Sequence, residues 1–198
     1  MERRIALYGG SFNPPGIHHE LIVKLLLEIF YEVIVIPRGA QGDKPSTFLV
    51  DNMHRMNMAN LAFGKISRVK LVLDDLKDNL FTPAYTLDQK YNKNGSLWHV
   101  GGYDLFRDGQ LGESEIQTSW IRGSEIWEKF NFAIIPRGEF DIADFPPHNQ
   151  FLNFSINGQS STIIRSLIKK QDLQFKDFVN PKIAECITQN NLYGWKGE

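Results

Sequence analysis

Short apolar runs alternate with amphipathic segments along the chain. The apolar runs are rich in β-branched residues and several end at Gly or Pro, which is typical of buried parallel strands. We therefore predict strands at 5–8, 33–36, 69–73, 97–100 and 132–135. Helical periodicity lies between and after them, at 20–31, 53–63, 85–92, 121–129, 161–170 and 181–190. This alternation predicts an α/β fold: a parallel sheet with helices on both faces and a C-terminal helical segment.

The first predicted helix has one narrow polar stripe. Glu20, Lys24 and Glu28 follow each other at intervals of four residues and therefore share a face. Most of the other positions are apolar, and we expect them to be buried: Leu21, Ile22, Leu25, Leu26 and Ile29.

Two segments show neither period. Residues 107–119 and 138–150 predict loops, which we interpret as rim or lid segments, and a short apolar run follows at 151–156. With 198 residues, 42% of them hydrophobic, the chain is long enough to bury a sizeable core. It is short enough to form one domain over 1–198.

Charge and composition exclude several classes of protein. Lys and Arg number 22 against 23 Asp and Glu, so no basic field would gather nucleic acid or an anionic membrane, and we expect neither partner. No stretch approaches the roughly 20 apolar residues that cross a bilayer. The only cysteine, Cys186, excludes an internal disulfide and fits a buried thiol in a reducing compartment. We expect a cytoplasmic protein.

The first strand leads directly into a glycine-rich loop. Gly9 and Gly10 follow it, and a backbone without Cβ atoms can turn sharply and approach a ligand closely. His18 and His19 come where the next helix begins, at the positive end of its dipole, and their rings can donate to phosphate oxygens. The alternative is a plain strand-to-helix turn with surface histidines.

A second candidate anion site lies far along the chain. Residues 160–165 read SSTIIR, a cluster of hydroxyls at a helix start with Arg165 one turn later. Hydroxyls and N-terminal amides together can hold an anion. The alternative is an ordinary Ser or Thr cap with a surface arginine.

Together the two segments resemble the nucleotidyltransferase superfamily. Its members carry GG(S/T)F(D/N)P before a four-residue HxGH or TxxH element, and a distant SSTxxR element that holds the β and γ phosphates of ATP. Here the four-residue element is Gly16, Ile17, His18 and His19. Only its last histidine is matched, and His18 stands where many members carry glycine.

Further segments narrow the resemblance to the nicotinate mononucleotide adenylyltransferases. They are IPRGAQGDKP at 36–45, HRMNMANLA at 54–62, AYTL at 84–87, VGGYDLF at 100–106, IIPRG at 134–138 and FVNPKIAECITQNNLYG at 178–194. The resemblance spans nearly the whole chain and implies a Rossmann-like fold.

The resemblance also implies roles for individual residues. His19, Lys44 and Arg165 would be catalytic. ATP would be bound by Gly9, Gly10, Ser11, Phe12, His18, His19, Gly102, Asp104, Ser160, Ser161, Thr162 and Arg165. The acceptor would be bound by Asn13, Lys44, Tyr85, Thr86, Trp120 and Arg137. Some of these have structural alternatives: a helix N-cap for Asp104, core packing for Trp120, a helix anchor for Tyr85 and a solvated side chain for Lys44.

The implied reaction moves AMP from ATP to nicotinate mononucleotide and releases pyrophosphate, with Mg²⁺ bound mainly through the phosphates of ATP. The partners are ATP and a pyridine mononucleotide, and a homo-oligomer stays open. Nicotinamide mononucleotide or phosphopantetheine are alternative acceptors. Because Gly16 replaces the family histidine, a nucleotide-binding protein with impaired turnover is another alternative. His54, His99 and His148 lack metal-ligand spacing, and we expect structural or exposed roles for them.

Overall fold

The computed structural model describes residues 3–39, 49–92, 96–136, 138–154 and 160–197. The strands of this described part are β1 Arg4–Gly10, β2 Glu32–Pro37, β3 Val69–Leu71, β4 Ser96–Gly102, β5 Asn131–Ile135 and β6 Asn149–Phe151. The α-helices are α1 Ile17–Ile29, α2 Asn52–Phe63, α3 Asp74–Lys77, α4 Ala84–Tyr91, α5 Glu115–Ser119, α6 Gly123–Lys129, α7 Ser161–Lys169 and α8 Pro181–Gln189.

The strands form one six-stranded sheet in the order β3-β2-β1-β4-β5-β6. The parallel pairs include residues 4–7 with 96–99 and residues 33–35 with 69–71. The predicted α/β fold, Rossmann-like with a parallel sheet, is therefore confirmed. The order reverses at β1, and ligands of such sheets bind outside the carboxyl ends of strands at a reversal. The GGSFNP segment begins at the carboxyl end of β1.

All five predicted strands and the six predicted helices are present, with ends shifted by a few residues. The prediction of a loop over 107–119 is wrong for part of that segment. Ser114 Oγ accepts a hydrogen bond from Gln117 N, and Gln117 Oε1 accepts one from Ser114 N, so α5 begins with a capping box. The strand β6 was not predicted, since only its last residue belongs to an apolar run.

The polar stripe of α1 is wider than expected. Lys24 and Glu28 are exposed, and Ile22 and Leu26 are buried as predicted. Leu21 and Ile29 are 44% and 36% exposed, so burial was wrongly predicted for both. Apolar periodicity alone does not tell how far neighbouring elements cover a helix.

The chain divides into two compact units. The first unit has its described residues within 3–8, 30–32 and 82–154, and the second within 9–29, 33–81 and 160–197. The expectation of a single domain over 1–198 stays a prediction. No helix in the described ranges is both long and apolar enough to cross a bilayer.

Each unit buries its own apolar side chains. A cluster in the first unit consists of Ala84, Tyr103, Phe106, Ile116, Ile126, Trp127, Phe130, Phe132 and Ile134. In the second unit the helices α7 and α8 turn Ile164, Ile168, Ile183 and Ile187 inward. Pro181 is the first residue of α8 and follows the N-cap Asn180. At this position the fixed φ of proline suits a helix, and its missing N–H would have no partner within the helix. Cys186 is a free, buried thiol, as predicted.

Candidate active site

The beginning of the N-terminal loop lies against Arg38. A Cβ atom at Gly9 would lie 3.0 Å from Nε of Arg38, so the guanidinium group closely approaches the bare backbone there. The Arg38 guanidinium lies 4.4 Å from the ring centre of Phe81, and the Arg38 N–H donates to Gly10 O at 3.0 Å. These contacts hold the beginning of the loop at the end of β1.

Three carbonyl oxygens of the loop accept hydrogen bonds from side chains outside it. Ser11 O accepts from Arg55 Nη2 at 2.8 Å. Asn13 O accepts from Arg165 Nη1 at 2.7 Å. Pro14 O accepts from Ser161 Oγ at 2.9 Å. The partial negative charge of these carbonyls, which would repel a phosphate, is therefore offset by donors.

Among the described residues, no carboxylate pairs with Arg55 or Arg165. Arg55, which is 1% exposed, also donates to Arg38 O at 2.6 Å and to Asn52 Oδ1 at 3.2 Å. The second donor of Arg165, Nη2, reaches Thr162 Oγ1 at 3.0 Å. Burial lowers the pKa of both guanidinium groups. Within the described residues, two desolvated cations thus face the loop with no anion to balance them.

The N-terminal loop and the SSTIIR segment, which the family resemblance linked, are in contact. Ser160 is the N-cap of α7 and accepts from Ile163 N at 3.3 Å, so the ordinary cap interpretation holds for this one residue. Ser161 and Arg165 instead bond the loop at Pro14 and Asn13. Arg165 is half-buried rather than a solvated surface side chain.

His19 has a defined orientation at the start of α1. Its Nδ1 accepts from Gly16 N at 3.0 Å, and its ring meets the ring of Phe12 edge-on at 5.0 Å. A nitrogen that accepts cannot carry a proton, so the neutral ring carries its proton on Nε2. His19 is thereby arranged as a donor through Nε2. His18 is buried, and its ring lies 3.8 Å from the His19 ring.

In the first unit, Tyr85 lies between an aromatic ring and a cation. Its ring stacks on Phe130 with centroids 6.2 Å apart, and the Arg122 guanidinium lies 3.9 Å from its centre. Tyr85 is the second residue of α4, whose N-cap Pro83 makes no side-chain hydrogen bond to the helix. The anchoring interpretation of Tyr85 is thus compatible with the contacts, and Thr86 beside it is exposed.

Trp120 and Asp104 have different environments. Trp120 is partly buried and packs against the apolar cluster of the first unit, consistent with the core-packing interpretation. Asp104 is exposed in the 3-10 turn Tyr103–Leu105, directly after Gly102 ends β4. The cap of that turn is Gly102, so the N-cap interpretation of Asp104 is wrong.

Some predicted site residues cannot be placed, and two contacts were missed. Lys44 and Arg137 lie outside the described residues, so their roles stay predictions. Arg38 and Tyr193 were not assigned roles, although Arg38 lies against Gly9 and the Tyr193 hydroxyl donates to Asn13 Oδ1. In the sequence, Arg38 and Tyr193 were marked only by lying in segments that resemble the family.

The described residues hold no group of three or more His, Cys, Asp or Glu side chains that could bind a metal ion. His54 Nδ1 pairs with Asp51 at 2.8 Å, and the bond raises the pKa of His54. His99 is buried, and its Nε2 lies 3.1 Å from Asp88 Oδ1. His148 is exposed. These contacts are compatible with the structural or exposed roles expected of the three histidines, which stay predictions.

Comparison with known proteins identifies the family. Residues 7–167 match the family described as Cytidylyltransferase-like. A probable nicotinate-nucleotide adenylyltransferase of Albidiferax ferrireducens is 34% identical over 204 residues, which cover 96% of this chain and 98% of that protein.

Solved structures agree over the full length. The Plasmodium falciparum nicotinic acid mononucleotide adenylyltransferase complexed with NaAD has a TM-score of 0.76 at 26% identity, with 98% of both chains covered. The same protein complexed with APC has a TM-score of 0.75 at 25% identity, again with 98% of both chains covered. Together with the contact between the two phosphate motifs, these matches make the chain a nucleotidyltransferase that belongs to the nicotinate-nucleotide adenylyltransferase family.

Proposed function

We propose that this chain transfers the adenylyl group of ATP to nicotinate mononucleotide and releases pyrophosphate, a step of NAD biosynthesis. The observation that carries the proposal is the pair of guanidinium groups, Arg55 and Arg165, that hold the loop without any carboxylate among the described residues. Desolvated cations are costly unless an anion balances them. A triphosphate would supply that anion.

The surroundings of the loop suit phosphate oxygens. His19 has its donor on Nε2, and Ser161 and Thr162 stand in the first turn of α7. The N-termini of α1 and α7 add partial positive charge. The family resemblance assigns Ser11, Gly10 and His18 to the same ligand, and the neighbouring solved structures with NaAD and APC support nucleotide substrates.

In the proposed reaction, a phosphate oxygen of the acceptor attacks the α-phosphorus of ATP. The bond from this phosphorus to the oxygen that bridges to the β-phosphate breaks, and its electron pair leaves with pyrophosphate. The reaction needs alignment and charge stabilisation rather than a protein nucleophile. His19, Arg165 and Lys44 would stabilise the charge on the α-phosphate and the departing pyrophosphate.

Magnesium is proposed as the cofactor. The described groups around the loop are donors, namely Arg38, Arg55, Arg165, Ser161 and His19, and donors suit anionic oxygens rather than a bare cation. The ion would therefore arrive with ATP. Mg²⁺ keeps several waters and is readily held through substrate phosphates, where it neutralises charge on the triphosphate.

Nicotinate mononucleotide is favoured as acceptor by the start of α4. The N-cap Pro83 makes no side-chain hydrogen bond to this eight-residue helix. The first N–H groups of the helix, which include those of Tyr85 and Thr86, have no partner within the helix. The positive end of a helix favours a carboxylate by about 0.3 to 1 kcal/mol. Nicotinate carries a carboxylate and nicotinamide a neutral amide. Trp120 and Tyr85 would contact the pyridine ring.

The remaining assignments come from the resemblance. Exposed Asp104, directly after Gly102, would accept a hydrogen bond from the adenosine sugar. Asn13 and Arg137 would contribute to acceptor binding. Asn13 is 1% exposed and its Oδ1 is occupied by the Tyr193 hydroxyl, so any contact to the acceptor would come from the rest of its amide.

The test is pyrophosphate release by the full chain with ATP and Mg²⁺ against three acceptors: nicotinate mononucleotide, nicotinamide mononucleotide and phosphopantetheine. We expect the highest kcat/KM with nicotinate mononucleotide and no release when EDTA removes the metal. A preference for another acceptor would overturn the acceptor assignment. ATP binding by calorimetry without release from any acceptor would favour a nucleotide-binding protein.

A further inference from the structure

The C-terminal end of the described chain carries an unusual turn. After α8, Asn191 has a φ of 51° and Tyr193 a φ of 56°, and Gly194 follows at 83°. Asn and Gly adopt left-handed backbone readily, but a bulky side chain such as Tyr does so rarely. A conformation of this kind persists only when its surroundings over-determine it, and it is often found at functional sites.

Both flanks of Tyr193 are held firmly. Leu192 and Trp195 are buried, and Trp195 meets Phe175 edge-on at 5.3 Å. Gln171 bonds the same turn twice, since its Nε2 donates to Gly194 O at 2.9 Å and its Oε1 accepts from Lys196 N at 2.9 Å. These contacts fix the position of Tyr193 within the second unit.

The Tyr193 hydroxyl donates to Oδ1 of Asn13. The carbonyl oxygen of the same Asn13 accepts from Arg165 Nη1 at 2.7 Å. Asn13 is therefore bound at its side chain by Tyr193 and at its backbone by Arg165. A hydrogen bond thus links the position of Asn13 to that of the Arg165 guanidinium group.

The chemistry of this contact suits an anion site. Arg55 and Arg165 both act electrostatically on Tyr193, and burial raises the pKa of its phenol, so the hydroxyl is a neutral donor at physiological pH. An acidic side chain in its place would neutralise the two guanidinium groups. A tyrosine orders the loop and leaves their positive charge for a ligand.

We propose that Tyr193 is a positioning residue for the triphosphate of ATP: through Asn13 it holds the loop and Arg165 in the arrangement that receives the phosphates. This inference rests on the proposed function. Among the described residues, Tyr193 contacts Asn13 within the second unit, so its effect on ATP passes through the bond between Asn13 and Arg165, and any effect on the acceptor would pass through the amide of Asn13.

The test compares Tyr193→Phe with the wild-type chain. Losing one neutral hydrogen bond of about 1 kcal/mol should weaken ATP binding, and raise the KM for ATP, by about fivefold, with a smaller rise in the acceptor KM. Trp195→Phe is the matched control: it perturbs the same turn without touching Asn13, so it should lower the unfolding midpoint and leave the KM for ATP unchanged.

A double-mutant cycle with Asn13→Ala separates positioning from general loosening. Tyr193→Phe should add nothing in the Asn13→Ala background. Additive effects, an unchanged ATP affinity of Tyr193→Phe, or an equal effect of Trp195→Phe would each overturn the inference. Calorimetric ATP binding tests this inference separately from the proposed reaction. A wild-type chain that binds ATP without turnover would overturn only the reaction, whereas one that binds no ATP would overturn both.

Discussion

The ring of His18 occupies the space that a side chain at Gly16 would need. A Cβ atom at Gly16 would lie 2.5 Å from both Nδ1 and Cε1 of His18, and 2.9 Å from Cδ1 of Ile164. Glycine at position 16 and histidine at position 18 are therefore sterically complementary. The family element that this loop resembles has histidine first and many members have glycine third, so the two residue types are exchanged here.

Gly16→His alone is expected to harm the protein rather than restore the family pattern. The new side chain would displace His18, and overpacking of this kind costs about 1 to 3 kcal/mol in the free energy of unfolding. Urea unfolding should show that loss, and pyrophosphate release should fall.

The double variant Gly16→His with His18→Gly removes the clash and should recover most of the lost stability. A single variant that is as stable as wild type and faster in turnover would contradict the complementarity of the two positions.

His19→Ala should lower kcat strongly while the fold survives. Removing one preorganised donor to developing charge typically costs about 2.7 to 4 kcal/mol of the barrier, or roughly 10² to 10³ in rate. Pyrophosphate release under saturating substrates measures the loss. His148→Ala is the control, since His148 is exposed in the first unit and should leave the rate unchanged. An equal rate for His19→Ala and wild type would remove His19 from the mechanism.

Stability of the first unit should depend on pH through Asp144. Burial by itself would raise the pKa of Asp144, but the Tyr103 hydroxyl, which donates to its Oδ2, together with the nearby polar groups of Asp108 and Gln110, outweighs it and lowers this pKa. A lowered pKa means that the carboxylate stabilises the fold above its unfolded value of about 3.9. That contribution is lost as the pH falls through the folded value.

Tyr103→Phe should therefore destabilise the first unit by about 1.5 to 3 kcal/mol near neutral pH, and the difference from wild type should shrink below about pH 4. Tryptophan fluorescence during urea unfolding reports mainly this unit, because Trp98, Trp120 and Trp127 lie in it and the fourth tryptophan, Trp195, lies in the second unit. A difference that stays constant from pH 7 to pH 3 would show that the carboxylate is not the partner that matters.

Arg122→Gln should weaken acceptor binding and leave ATP binding alone. The substitution removes the cation that lies 3.9 Å from the centre of the Tyr85 ring, an interaction of about 0.5 to 1 kcal/mol. We expect the acceptor KM to rise about two- to fivefold. Lys129→Gln is matched to it, because Arg122 and Lys129 both pair with Glu125, Lys129 at 3.1 Å, and in the described structure Lys129 has no such contact with Tyr85. Equal effects of both variants would point to Glu125 instead of Tyr85.

Local patterns in the sequence predicted the parallel sheet and the six main helices, and they marked the two candidate anion sites. Strand and helix periods depend on residues a few positions apart, so they can be recognised within short windows. The short helices α3 and α5 and the strand β6 were not predicted, because four, five and three residues are too few for a period to emerge.

The sequence by itself determined which side chains could serve an ATP site, because glycines after a strand and hydroxyls at a helix start have local conformational causes. Only the tertiary structure decided how those side chains are used. It brought Ser161 and Arg165 onto Pro14 and Asn13, directed Tyr193 to the same asparagine and set His18 over Gly16. These contacts join positions up to 180 residues apart, and their geometry follows from packing that no short segment encodes.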